Sequence, residues 1–278
     1  MRKILSMMTI LLTVLGCGMK AQSSIDADKA TEEYVNQRVT NINNDIITAV
    51  DKGKYNQLEF TQRYGSEVFK DLVETATEWQ HVAEVKIIDR DILLPIDGVE
   101  QFSFKDVRIT RMEGQKADVE LLLFNGSEQE YIWLTMVYEN DDWFIDNIST
   151  ETYEGGVDDL QSTLQSGISA CEYDADMITK VIGEWINKDN SDNAIPVAFS
   201  LEETENGKLR VGSCGIYGAN FEYDTEAFVE GGTLYVNGNG FNANFELNGD
   251  DELQGHYTLT IPHSGEVCEG DIIMKKGW

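Results

Sequence analysis

The chain is poor in the residues that carry most metal and redox chemistry. It has 3 histidines and 4 cysteines in 278 residues. His81, His256 and His263 stand at ligand spacing from no cysteine or carboxylate, and no cysteine pair has a C-x-x-C spacing. Zinc and dithiol centres are therefore disfavoured, and no cofactor is expected. Basic residues are scarce as well: Lys+Arg 21 against Asp+Glu 50 gives a net charge of −29. Nucleic acid and anionic lipid surfaces require clustered positive charge, so neither is an expected partner. Nucleophile elbows of the form Gly-x-Ser-x-Gly, phosphate loops of the form Gly-x-x-x-x-Gly-Lys and dinucleotide turns are missing. Gly231-Gly232 and Gly238-Asn239-Gly240 are flanked by strand patterns and read as hairpin turns. Beyond the first residues no apolar run approaches the roughly 20 that a membrane-spanning helix needs.

What the chain does have begins at its start. Met1-Arg2-Lys3 is basic, the next dozen or so residues are apolar, and Val14-Leu15-Gly16 leads directly into Cys17. This resembles the lipobox of bacterial lipoproteins. The resemblance implies a signal peptide over 1–16, lipidation at Cys17, and a flexible tether over 17–27. It places the protein in the bacterial cell envelope, lipid-anchored at the outer membrane on its periplasmic or surface face. An ordinary secretory cut after Ala21 fits less well, because Met19 is too large for a small-x-small site. The acyl chains would be the membrane attachment. Losing Arg2 and Lys3 would take the charge from −29 to −31. Such an acidic surface either keeps the chain soluble or docks a basic protein.

From Asp28 the periodicity is helical. Val35, Val39, Ile42, Ile46 and Val50 form one apolar stripe that Gly53 ends. A short segment near Tyr55–Thr61 follows. A third stripe runs Val68, Leu72, Ala76 and Trp79, with Ser66 placed to cap it. After His81 the period changes to two. Phe102 and Phe104 alternate in one phase, Val107 and Ile109 in the other, which predicts a β-bulge. Ala117 to Leu123 alternates again. Tyr131–Tyr138 is apolar on both faces, as a strand buried on both sides would be. A turn at Glu139–Asp142 leads to Trp143-Phe144-Ile145. Three helices before a bent antiparallel meander predict an α+β unit over 28–150. With its closing Trp143, Ile145 and Ile148, this element order is similar to the nuclear-transport-factor-like, or ketosteroid-isomerase-like (cystatin-like), cone.

Residues 151–176, with Gly155-Gly156 and many polar side chains, read as a linker containing a short helical turn around Val157–Leu164. From 177 to 278 the chain reads as all-β. Eight short strands near 178–187, 196–203, 208–214, 219–224, 232–236, 243–247, 253–260 and 270–276 alternate with turns such as Asn206-Gly207 and Asn248-Gly249. Gly183-Glu184-Trp185 and the ending Asp271–Lys276 resemble the first and last strands of lipocalin-like β-barrels. In an up-and-down barrel Cys214 and Cys268 share one mouth while Cys171 lies at the other end. A Cys214–Cys268 disulfide is the favoured pairing, and three buried reduced thiols are the alternative.

Chemistry-bearing candidates are few. A cone of this kind can use a carboxylate in an apolar pocket as a general base. His81, Asp89 and Asp91, with Asp97 nearby, lie between the third helix and the main sheet, although none matches a catalytic motif. The runs Asp189–Asn193 and Asn248–Glu252 are acidic but lack the calcium-loop pattern and fit tight turns better. Strand aromatics (Tyr131, Trp133, Tyr138, Tyr217, Tyr223, Tyr235 and Tyr257) suit either a core or a glycan-stacking surface. The expectation is a non-catalytic envelope lipoprotein that binds a small hydrophobic or glycan ligand or a protein partner. An isomerase or dehydratase in the cone and an acidic inhibitor of a cationic enzyme such as lysozyme are the alternatives.

Overall fold

The computed structural model describes residues 26–95, 101–152, 155–187, 197–204, 208–216, 219–220, 225–238, 240–261 and 264–277. The lipidation candidate Cys17, the carboxylate Asp97, the acidic run at 189–193, and Asn206-Gly207, Tyr217, Tyr223 and His263 lie outside the described residues. The chain divides into two units between Ser169 and Ala170.

The first unit is α+β. Helix α1 (Glu32–Asp51) starts where the Thr31 side chain accepts the Tyr34 N–H, and it buries Val35, Val39, Ile42 and Ile46 as its spacing requires. Helix α2 (Gln57–Tyr64) is capped by the Asn56 side chain. Helix α3 (Glu67–Ala83) is capped by Ser66, whose hydroxyl accepts the Phe69 N–H. Its buried stripe is Phe69, Val73, Ala76 and Trp79. The expected stripe is thus displaced by one residue at its start: Val68 points to water and Leu72 is half-buried.

Strands β1 (Phe102–Glu113), β2 (Lys116–Asn125), β3 (Glu128–Glu139), β4 (Asp142–Glu151) and β5 (Val157–Asp159) form an antiparallel sheet in chain order. The phase flip in β1 is a bulge, with register shifts between Lys105 and Arg108 and again between Ile109 and Arg111, and Asp106 at φ 54°. A further register shift lies in β4 opposite Thr135/Met136. Strand β3 corrects the reading of a doubly buried strand. Ile132, Leu134, Met136 and Tyr138 are buried, whereas Tyr131, Trp133, Thr135 and Val137 face outward and keep part of their surface. The sheet therefore has one covered face and one outer face.

The segment read as a linker is mostly structured. Strand β5 pairs with β4, and helix α4 (Leu160–Val181) follows it directly. Leu160, Leu164, Ile168 and Cys171, at spacings of four, four and three, are its buried stripe. The division between the units falls inside α4, and its last turns carry Met177 and Val181 into the core of the second unit.

The second unit is a sheet in the order β10-β11-β12-β13-β14-β6-β7-β8-β9. Its strands are β6 (Gly183–Asn187), β7 (Val197–Glu203), β8 (Leu209–Ile216), β9 (Ala219–Asn220), β10 (Glu226–Glu230), β11 (Thr233–Gly238), β12 (Phe241–Asn248), β13 (Glu252–Thr260) and β14 (Val267–Lys276). Because β10 approaches β8, eight of these strands form a nearly closed antiparallel barrel. The segment near 178–187 is a helix end followed by a shorter strand, and β10 has no counterpart in the eight expected strands. Alternate residues point inward. Trp185, Phe199, Leu234, Phe241, Phe245 and Met274 are each 0–2% exposed and fill the interior, as an eight-stranded barrel can be filled by its own side chains. Trp185, on the Gly-x-Trp strand, donates its indole N–H to Val181 O at 2.7 Å. Lys276 on the closing strand lies over that indole and donates to Lys180 O, so it caps α4 and covers the Trp185 ring together.

Candidate functional site

The residues proposed from sequence do not come together. His81 is exposed in the last turn of α3, and Asp89 is exposed in the loop after it. Asp91 is occupied by local structure. Its Oδ1 accepts the Tyr55 hydroxyl at 2.6 Å and the N–H groups of Leu93 and Leu94 at 2.9 and 2.8 Å. Burial and the facing Asp91 carboxylate push the Tyr55 phenol well above its ordinary range, so it stays a donor. The pair locks this turn.

That lock, however, positions another residue. The Gln80 side chain accepts N–H groups from Ile87 and Ile88, and Gln57 accepts the Ile92 N–H. Held between these anchors, Arg90 reaches the sheet. It donates to Thr150 Oγ1 at 2.7 Å and pairs with Asp158 at 2.7 Å. Thr150 is fully buried on the covered face of β4, and its hydroxyl donates to the Glu130 carboxylate on β3. Glu130 lies on the same face, opposite Leu123. Burial raises the Glu130 carboxyl above the ordinary glutamate value and Asp158 adds to this, while Arg90 and Thr150 only partly offset them. The guanidinium thus pairs with Asp158 and acts electrostatically on Glu130, whose carboxyl is on the covered face of the sheet. A carboxyl in partly buried surroundings, expected among Asp89 and Asp91, is found on β3. The available signal was period two in β3: Glu130 shares the parity of Ile132 and Leu134 and had to face inward with them.

Two further polar atoms of this unit, Asn43 Nδ2 on α1 and the Tyr138 hydroxyl on β3, are buried with no hydrogen-bond partner. Burial of an unpaired polar atom costs free energy, so both reduce the stability of this core.

Cys171 on α4 and Cys214 and Cys268 on barrel strands are free thiols. Cys214 on β8 and Cys268 near the start of β14 point inward from antiparallel strands, but β6 and β7 lie between them. Three strand spacings of about 4.8 Å separate them along the wall, against the roughly 7 Å that a disulfide permits between Cα atoms. Burial pushes the Cys214 thiol up to about 11. His256 sits 3.1 Å from Asp271 on the outer barrel wall. The acidic run Asn248–Glu252 is the β12–β13 turn, with Gly249 at φ 70°. There Lys275, Gln254 and Asn248 bind the Glu252 carboxylate and hold it at about 2. Among the described residues no group of three or more His, Cys, Asp or Glu is placed to hold a metal ion, and no helix is long and apolar enough to cross a membrane.

The strand aromatics separate into two classes. Tyr138 is core, edge-on to Trp143, and Tyr257 packs beside Phe241. Tyr131 and Trp133 stack with each other on the outer face of the first sheet, and Tyr235 stacks on Phe228 on the outer barrel wall.

No protein-family model matches the chain, and no curated protein or solved structure matches it at a significant level.

Proposed function

We propose that this chain is a membrane-tethered binding protein of a bacterial cell envelope. In this reading it is acylated at Cys17 and carries a nuclear-transport-factor-like unit followed by a lipocalin-like barrel. The carrying observation is the run from Arg2-Lys3 through an apolar dozen to Gly16-Cys17. The filling of the barrel by Trp185, Phe199, Phe241 and Phe245 supports contact at surfaces rather than carriage of a ligand inside it. The charge of −29 favours neutral or cationic partners. Native mass spectrometry of the protein purified from its own cells tests the surface reading. The barrel is expected to fly without a lipophilic passenger; a stoichiometric lipid retained in the barrel would contradict it.

A second reading is favoured by one observation, the raised Glu130 carboxyl beside Thr150 and Arg90. A carboxyl of this kind suits proton transfer in an isomerase or dehydratase. That reading requires the wild-type protein to isomerise a cyclic β,γ-unsaturated ketone and Glu130→Gln to abolish the reaction. A wild-type rate equal to the buffer rate would remove it.

A further inference from the structure

We propose that the outer face of the first unit's sheet binds a neutral or amino-sugar glycan on a platform centred on Tyr131 and Trp133. This inference rests on the binding-protein reading above and names a ligand class for it.

Tyr131 and Trp133 are two residues apart on β3, so both side chains leave the same face. Their ring centroids are 6.4 Å apart and their planes 20° from parallel, and Tyr131 is 47% exposed. Outer sheet faces are usually polar, and a stacked Tyr–Trp pair left partly in water on a central strand is a contact surface awaiting a partner. The pair is also held in place. Trp133 Nε1–H donates to Glu120 Oε2 at 3.2 Å, and Arg108 pairs with Glu120 Oε1 at 2.6 Å. Register puts these residues in one row across the sheet: Arg108, Glu120, Trp133 and Ser149. A ring fixed by a carboxylate that is itself fixed loses little freedom on binding.

The chemistry of that row selects the ligand. A pyranose has one apolar C–H face and a rim of hydroxyls. Its face stacks on the aromatic rings, and its hydroxyls find acceptors in the Glu120 carboxylate and in the Ser149 hydroxyl oxygen, whose own proton goes to Asp159, each residue one strand spacing of about 4.8 Å from Trp133. Charge narrows the class. Asp118 and Glu120 sit on this face, Arg108 is spent on Glu120, and Lys105 lies over Phe124 at 4.4 Å. A polyuronate would meet these carboxylates and a chain of charge −29, which disfavours it. A second copy of the chain laid on this face would set the same acidic patch against itself across a two-fold axis, which disfavours self-association there.

The test is calorimetric titration of the full chain, as purified from its own cells, with cellohexaose, chitohexaose and an alginate hexamer as the polyanion. Saturable binding of at least one neutral hexasaccharide is expected, with none for alginate. Trp133→Ala should weaken it about tenfold and Tyr131→Ala several-fold, while Phe228→Ala on the barrel wall leaves it unchanged. Urea midpoints and circular dichroism establish that each variant is folded, and the exposed Tyr131 keeps the test alive if Trp133→Ala unfolds. No heat with either neutral hexasaccharide, tighter binding of alginate, or a wild-type dimer that Tyr131→Ala converts to monomer would each overturn the proposal. An acylated protein that fails these titrations loses only this inference, whereas an unacylated one loses the reading on which it rests.

Discussion

At the scale of single residues, the most consequential group is a carboxylate that the fold keeps weakly acidic. Glu130 has a folded-state pKa above its unfolded value, so the native protein holds this proton to higher pH than the unfolded chain does. Stability from this site is therefore present below the ordinary glutamate value and falls as pH climbs through the raised one. Glu130→Gln is expected to flatten that segment of the curve when urea midpoints are measured between about pH 4 and about pH 7. Asp159 behaves in the opposite sense. Burial alone would raise its carboxyl, but hydrogen bonds from Ser162, Asn147 and Ser149 outweigh burial and hold it below the usual range. Its stabilisation is present above the unfolded aspartate value and lost as pH falls through the lowered one. Because Asp159 Oδ1 accepts the Ser162 N–H at the start of α4, Asp159→Ala is expected to cost about 1 kcal/mol at neutral pH and progressively less in acid. Equal loss at all pH values, read from urea melts, would contradict the capping role.

At the scale of elements, the sequence was most legible where one residue dominates geometry. The caps at Ser66 and the bulge in β1 were readable because a hydroxyl before an apolar stripe and a phase flip in an alternating run each permit few structures. Helix α4 was misread because Ser, Gln, Thr and acids dilute the stripe Leu160–Leu164–Ile168–Cys171, and Gly167 looks like a breaker. That glycine has a packing cause: a Cβ there would meet Ile87 Cγ2 at 2.6 Å. Gly255 in β13 is a firmer case. A Cβ there would lie 1.9 Å from the Asn244 carbonyl oxygen of β12 and 2.8 Å from the Phe245 ring. Backbone cannot yield as a flexible side chain can, so Gly255→Ala is expected to destabilise the barrel by about 2 kcal/mol or more. Thermal melts should show this loss. Gly114→Ala, in a turn with open space but a φ of 55°, should cost about 1 kcal/mol through backbone strain alone.

At the scale of the whole molecule, charge and division matter more than any single contact. An α+β unit followed by a β-barrel was legible from the change of hydrophobic period near His81 and the regular turns after residue 177. The site was not. Glu130, Arg90 and Thr150 are scattered over 60 residues and converge only because three anchored turns and two strands meet, which no local pattern encodes. The outer aromatic face is half-legible: the sequence shows the aromatic residue types, but the apolar run Tyr131–Tyr138 reads as a strand buried on both sides, whereas only one face of β3 is covered. With 50 acids against 21 bases, self-repulsion opposes the compact state. Raising ionic strength from about 20 mM to about 500 mM shortens the Debye length severalfold and is expected to raise the urea midpoint. A midpoint that falls with salt would mean that the ion pairs outweigh the excess charge.

The tether is the claim on which compartment and partners depend, and intact mass spectrometry of the protein from its own membrane fraction tests it directly. The account predicts a chain beginning at Cys17 and carrying a diacylglyceryl group and an amide-linked acyl chain, with Cys17→Ser abolishing the modification and releasing the protein from the membrane. An unmodified chain that retains Met1 and fractionates with the cytosol would contradict it.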